Sequence, residues 1–126
     1  FSFSGLKTSV LYTINDLKKK QSAIRNPQLC NLSSSFQKAV VDVLVAKTIR
    51  AAKFFKVKTI ILGGGVAANT LLRKTMKAEA DKLDIPFIVP EIKLCTDNAA
   101  PIAVAGFFGK AISWHKIKAN PQLEIK

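Results

Sequence analysis

Two stretches of this sequence could do chemistry. The first is Thr59 to Asn69, read as Thr-Ile-Ile-Leu-Gly-Gly-Gly-Val-Ala-Ala-Asn. The apolar run from Val57 to Leu62 is expected to be a buried strand, and three glycines follow it at once. A helix is expected to begin beside Asn69. A strand that passes through glycines into a helix is how α/β proteins hold nucleotides. The glycines let the backbone approach a ligand, and the helix start offers free N–H groups. Gly63-x-Gly65-x-x-Ala68 fits the dinucleotide pattern G-x-G-x-x-G/A, and Glu91 stands where a ribose-binding acid would. No Lys-Ser/Thr pair follows the glycines, so this is not a P-loop. The same glycines would also serve a strand-to-helix turn for steric reasons alone, and both uses stay open.

The second stretch is Cys95-Thr96-Asp97-Asn98. It follows a strand and a loop and opens a helix, near the carboxyl ends of the strands, where α/β proteins place ligands. The carboxylate of Asp97 either binds a metal or caps the helix, and capping is the commoner use of Asp at such a position. One Asp cannot hold a metal. His115, the single histidine, lies about five turns further on by the helix rise and reads as a surface residue. A complete metal site would therefore draw on residues outside these 126. No Ser-His-Asp set, Cys-His pair or paired carboxylate site is readable.

The positioning elements can be read from periodicity. Phe1 to Gly5 reads as extended or loop-like, with Ser4 able to cap a helix after it. Leu6, Val10, Ile14 and Leu17 recur at helical spacing and predict an amphipathic helix to about Lys19. Lys18, Lys19 and Lys20 suit its carboxyl end. Gln21 to Ser33, with Pro27, reads as a loop. Ser34 and Gln37 form a Ser-x-x-Gln capping box that predicts one long helix from Phe36 to Phe55, packed from two sides. Lys47, Arg50 and Lys53 make a loose basic stripe on it. Asn69 should cap a helix from Thr70 to about Leu83, with Leu72, Met76, Ala80 and Leu83 inward and Arg73, Lys74, Lys77 and Lys82 mostly outward. Ile85 to Val89 is a second strand, short or at an edge because of Pro86. A last helix should run from the Thr96-Asp97-Asn98 caps to about Trp114. It holds Pro101 in its first turn and is apolar nearly all round, so it is expected to be buried. From Lys116 onward the tail should fray.

The composition sets the frame: one domain with a modest core, or half of a larger one, with 48% hydrophobic residues. The opening at Phe1, with no Met, is expected of a piece of a longer protein. A net charge of +12 either attracts polyanions, nucleic acid first, or belongs to a solvated surface. Two distant cysteines, Cys30 and Cys95, fit a reduced, cytoplasmic setting. No apolar run reaches the roughly 18 residues of a membrane span.

Four blocks also carry a resemblance. They are Phe-Ser-Phe-Ser-Gly-Leu-Lys-Thr (1–8), Ser-Phe-Gln-Lys-Ala-Val-Val-Asp-Val-Leu (35–44), Gly-Gly-Val-Ala-Ala-Asn (64–69) and Leu-Cys-Thr-Asp-Asn-Ala-Ala (94–100). In this order they resemble the tRNA N6-adenosine threonylcarbamoyltransferase family, once labelled O-sialoglycoprotein endopeptidases. The resemblance implies an α/β fold of the actin/Hsp70/sugar-kinase, ribonuclease H-like type, of which residues 1–126 would be the C-terminal part of the second lobe. It implies transfer of a threonylcarbamoyl group from its adenylate to N6 of an adenosine beside the tRNA anticodon. It implies that Asn69, Gly64 and Gly65 meet the nucleotide part of the substrate. Asp97 would be a ligand of one metal ion, iron or zinc, whose two histidine ligands come from an H-x-x-x-H motif in a missing N-terminal half. tRNA, the adenylate and accessory proteins are the implied partners.

Two departures stand out: Pro101 replaces a larger flexible apolar residue, and the family's Arg- and Trp-containing tail is not seen. Alone, this chain is expected to be inactive and to self-associate through apolar surface left open by the missing lobe. The other readings are a nucleotide-binding lobe of a related kinase or ATPase, a basic RNA- or partner-binding module without catalysis, and a Rossmann dehydrogenase, for which two strands are too few.

Overall fold

The structure is a computed structural model that describes residues 1–20, 26–110, 112–116 and 118. It is helix-rich, with a two-stranded parallel sheet. Helix α1 (Phe3–Lys20) leads to the long α2 (Asn26–Phe55), strand β1 (Ile60–Ile61), α3 (Thr70–Asp81), strand β2 (Phe87–Ile88) and α4 (Ala99–Phe108). Short 3-10 turns precede α3 (Gly65–Ala68), follow β2 (Ile92–Leu94) and come after α4 (Trp114–Lys116).

The centre is a β-α-β unit. Ile60 pairs with Phe87 and Ile61 with Ile88, and α3 makes the crossover that parallel strands require. The pairing extends beyond the strands proper: Ile60 N–H donates to the Pro86 carbonyl and Leu62 N–H to the Ile88 carbonyl, both at 2.9 Å. Pro86 therefore supplies an acceptor where its missing N–H costs nothing. Each strand is shorter than its apolar run, because only the central residues find a ladder partner.

Both helices that feed the strands end alike. Val57 N–H bonds the Ala52 carbonyl and Ile85 N–H bonds the Ala80 carbonyl, each at 3.1 Å. Lys56 (φ 51°) and Asp84 (φ 54°) take the left-handed conformation that such a helix end needs. The two alanines accepting these bonds are buried, so each turn closes directly over the core.

That core joins one stripe of α2 (Val41, Val45, Ala52) to Ile60 and to the inner face of α3 (Leu72, Met76, Ala80). Leu44, Ile49, Leu62, Ile85 and Phe87 pack around it. The expected inward residues of α3 are there, except that Leu83 lies beyond the helix end and is only half-buried. Leu6, Val10, Ile14 and Leu17 are the half-buried face of α1, as their spacing predicts.

Several expectations fail for physical reasons. The cap of α1 is Ser2, whose Oγ accepts the Gly5 N–H at 3.0 Å; Ser4 lies inside the helix. Helix α2 starts at Asn26, so the expected loop is helical over its described residues and the Ser34–Gln37 box lies within the helix. Pro27 explains this, since proline at a first turn gives up an N–H that has no partner there anyway. Residues 21–25 lie outside the described part. Helix α2 buries a single stripe, with α3 seated on it and α1 beside it, and does not sink two faces. Arg73 is half-buried and turned inward. Helix α4 stops at Phe108, far short of Trp114, where Gly109 N–H bonds the Ala105 carbonyl at 2.8 Å. It is also exposed along its whole length, with Phe107 and Phe108 more than 80% accessible, because no described element packs on it. Of the expected frayed tail, residues 117 and 119–126 are outside the described part. Among the described residues no helix is long and apolar enough to cross a membrane.

This division between seated and unseated helices is measurable. Leu72→Ala should destabilise the chain by about 2–5 kcal/mol, whereas Ile102→Ala on α4 should change stability by no more than about 0.5 kcal/mol. Denaturant unfolding of both variants checks the difference.

Candidate functional site at the carboxyl ends of the strands

The glycine turn leaves β1 at the end of the sheet that faces α2. Gly64 takes φ 80°, ψ 177°, a region open almost only to glycine, so this residue is fixed by backbone geometry. Gly63 and Gly65 are different. Their φ values are ordinary, and a Cβ on either would meet nothing within 4 Å. No described neighbour requires glycine at these two positions. Bare backbone here leaves room for something from outside the described residues to come close.

Asn69 ends this turn and starts α3. Its Oδ1 accepts the Leu72 N–H at 2.9 Å, the N-cap bond that the sequence predicts. Its Nδ2 donates to Oε1 of Gln37 at 3.0 Å, across to the middle of α2. The amide thus fixes the helix start against the neighbouring helix. One Asn69 N–H and the whole Gln37 amino group keep donor capacity that no described residue uses. Gln37 reads as a capping-box residue in the sequence, and only the fold shows that it meets Asn69.

Among the described residues, Gln37 and Asn69 are the only polar side chains lining a groove of about 650 Å3. Phe36, Val40, Leu62 and Val66 are among its apolar walls, Phe3 of α1 closes one side, and Gly63 lines its edge. An apolar cleft with two convergent amides has the size and character of a small-molecule site.

The second stretch lies across the same end of the sheet but outside the groove lining. The cap of α4 is Asn98, whose Oδ1 accepts the Ala100 N–H at 2.9 Å. Asn98 Nδ2 also donates to the Thr96 carbonyl at 2.7 Å. Asp97 is therefore free of the capping role and exposed. Among the described residues no three His, Cys, Asp or Glu side chains gather as a metal set. Glu91 is exposed and pairs with Lys93 at 2.7 Å through one carboxylate oxygen. His115 is exposed and stacks on Trp114 at a ring separation of 3.4 Å.

Arg73 joins the two stretches, and the sequence reading missed it. From the first turn of α3 its Nε donates to the Ala67 carbonyl. Its Nη2 reaches the Pro90 carbonyl at 2.7 Å and Cys95 Sγ at 3.0 Å. Cys95 is buried and its thiol donates to the Glu91 carbonyl at 3.4 Å. The signal for Arg73 in the sequence was slight: it follows directly on the buried Leu72, beside the inner face.

Comparison with known proteins decides the family. The sequence profile of the tRNA N6-adenosine threonylcarbamoyltransferases matches residues 1–104. The chain belongs to that family. Proteins of that name from Desulfotalea psychrophila, Thermosipho africanus and Bacillus thuringiensis are 51%, 47% and 46% identical to it, over 85%, 99% and 100% of this chain. The match covers 31%, 37% and 37% of those relatives, so the chain spans about a third of their length. All four blocks that carry the resemblance fall within the matched residues.

The glycines separate into two classes in this family member. Gly64→Ala should cost about 1–3 kcal/mol of stability from its backbone conformation. Gly65→Ala should leave stability within about 0.5 kcal/mol. Thermal and denaturant unfolding of the two variants checks this.

Proposed function

We propose that this chain is the nucleotide-holding part of a tRNA N6-adenosine threonylcarbamoyltransferase. It would form the C-terminal portion of the second lobe of an actin/Hsp70/sugar-kinase-like fold. The observation that carries this reading is the unfilled face of Gly63 and Gly65 beside the Asn69–Gln37 amide pair, all at the carboxyl end of β1. The names of the relatives supply the reaction.

In that reaction the N6 amine of a tRNA adenosine attacks the carbamoyl carbon of threonylcarbamoyl-adenylate. A C–N bond forms, the C–O bond to the phosphate breaks, AMP leaves, and the amine gives up a proton. This chain's part is binding and orientation. The backbone of Gly64 and Gly65 comes against the nucleotide without side-chain interference. The spare amide donors of Asn69 and Gln37 orient its polar groups, and the apolar groove keeps water from the reactive mixed anhydride. The N-terminal N–H groups of α3 favour the negatively charged phosphate.

Asp97 is this chain's one contribution to a metal, iron or zinc, whose remaining ligands lie outside these 126 residues. Such an ion would orient the carbonyl and stabilise the charge that develops on its oxygen. Lys47, Arg50 and Lys53, exposed on α2 and outside every ion pair among the described residues, suit a tRNA backbone. Cytoplasmic location and accessory proteins belong to the same reading.

Two measurements test it. The full-length protein should form threonylcarbamoyladenosine in tRNA, while residues 1–126 alone should form none, because the groove and Asp97 lack their opposing lobe. In the full-length protein, Asn69→Ala should raise KM for the adenylate about 5- to 20-fold, the scale of one or two lost hydrogen bonds. Turnover by the isolated chain would overturn its dependence on an opposing lobe, and an unchanged KM in the variant would remove the nucleotide-holding assignment.

A further inference from the structure

Arg73 carries more than its share of the geometry. Ala67 lies after β1, at the end of the glycine turn. Pro90 lies after β2, and Cys95 is two residues before Asp97. One guanidinium therefore fastens both loops that leave the carboxyl ends of the parallel strands. The three acceptors are two backbone carbonyls and a thiol. No carboxylate of the described chain neutralises the side chain, so its charge is directed entirely into holding neutral groups. A planar fork with several N–H donors can reach three acceptors at once; an ammonium on a flexible stem cannot reproduce that arrangement.

Helix α3 gives the fork a rigid base. Leu72, the residue before Arg73, is almost fully buried, and Asn69 locks the helix start one turn earlier. The peptide N–H of Arg73 itself bonds the Asn69 carbonyl at 3.1 Å. Asn69, Ala67 and Arg73 thus move as one piece, and Cys95 is attached to that piece from the other loop. Cys95 adds a second tie through its bond to the Glu91 carbonyl.

We infer that Arg73 is a positioning residue: it fixes the glycine turn and Asn69 relative to the Cys95–Asp97 loop, and so sets the register between the two sides of the adenylate. This rests on the function proposed above. Arg73 would touch neither the adenylate nor the tRNA adenosine. Its effect runs through the peptide groups it holds, and displacement of such a site by about 1 Å costs on the order of 100-fold in rate.

The test uses the full-length protein with Arg73→Lys, Arg73→Met and, as control, Asn69→Ala. KM for the adenylate, KM for tRNA, kcat and the thermal midpoint are measured for each. Arg73→Lys and Arg73→Met should lower kcat/KM for the adenylate by about 100-fold, with KM for the adenylate raised several-fold and kcat carrying the rest, and leave KM for tRNA within about twofold. A merely structural role would lower the folded fraction, reducing kcat with both KM values unchanged. That result overturns the inference, as does wild-type behaviour in Arg73→Lys. Should Arg73→Met not fold, Cys95→Ala removes one of the three acceptors and should still raise KM for the adenylate several-fold; no change there also overturns the inference. If Asn69→Ala raises KM while the Arg73 variants do not, the positioning role fails and the proposed function stands. If wild-type protein transfers nothing, both fall together.

Discussion

The seating of α3 governs everything at the carboxyl ends of the two strands. Leu72, Met76 and Ala80 are almost without solvent contact, and they press the helix onto α2 and the two strands. With that face fixed, the first turn of α3 has one orientation. Asn69 then points its amide at Gln37, and Arg73 points its guanidinium at the opposite loop. The polar arrangement is a consequence of an apolar one, which is why neither amide nor guanidinium has to supply the folding energy.

The same packing explains why a small sheet suffices. Two strands of two residues cannot stand alone in water. Here the crossover helix covers them, and the paired Val57 and Ile85 turns deliver each strand over a buried alanine. The repetition of one helix-to-strand turn on both sides of α3 aligns the strand ends. Aligned ends place the glycine turn and the Pro90–Cys95 loop side by side, and the Arg73 guanidinium spans the two.

Much of this was legible from local chemistry. The spacing of Leu6, Val10, Ile14 and Leu17 named the half-buried side of α1, and Leu72, Met76 and Ala80 named the core of α3, because periodicity records which side of a helix is buried. The Asn69 cap was equally local. The features that stayed hidden depended on partners distant in sequence. Gln37 resembled a capping residue until α3 was seen to pack beside it, and Arg73 looked like one more solvated cation in a strongly basic helix. Helix α4 shows the reverse error: its composition, Ala-Ala-Pro-Ile-Ala-Val-Ala-Gly-Phe-Phe, speaks of burial, and the described chain leaves it bare. Composition reports that a helix seeks apolar contact, not whether the contact belongs to the same stretch of chain. Three adjacent glycines likewise look equivalent as letters, yet only Gly64 is demanded by its own backbone.

In the function proposed above, the bare face of the glycine turn and the amide of Asn69 receive the nucleotide. Amide resonances of the full-length protein, followed by nuclear magnetic resonance while AMP is titrated in, test this most directly. The largest shifts should fall on Gly63, Gly64, Gly65 and the Asn69 side chain, with smaller ones at Gln37. Saturable AMP binding that leaves all of these unmoved, with its shifts confined to other parts of the protein, would contradict it.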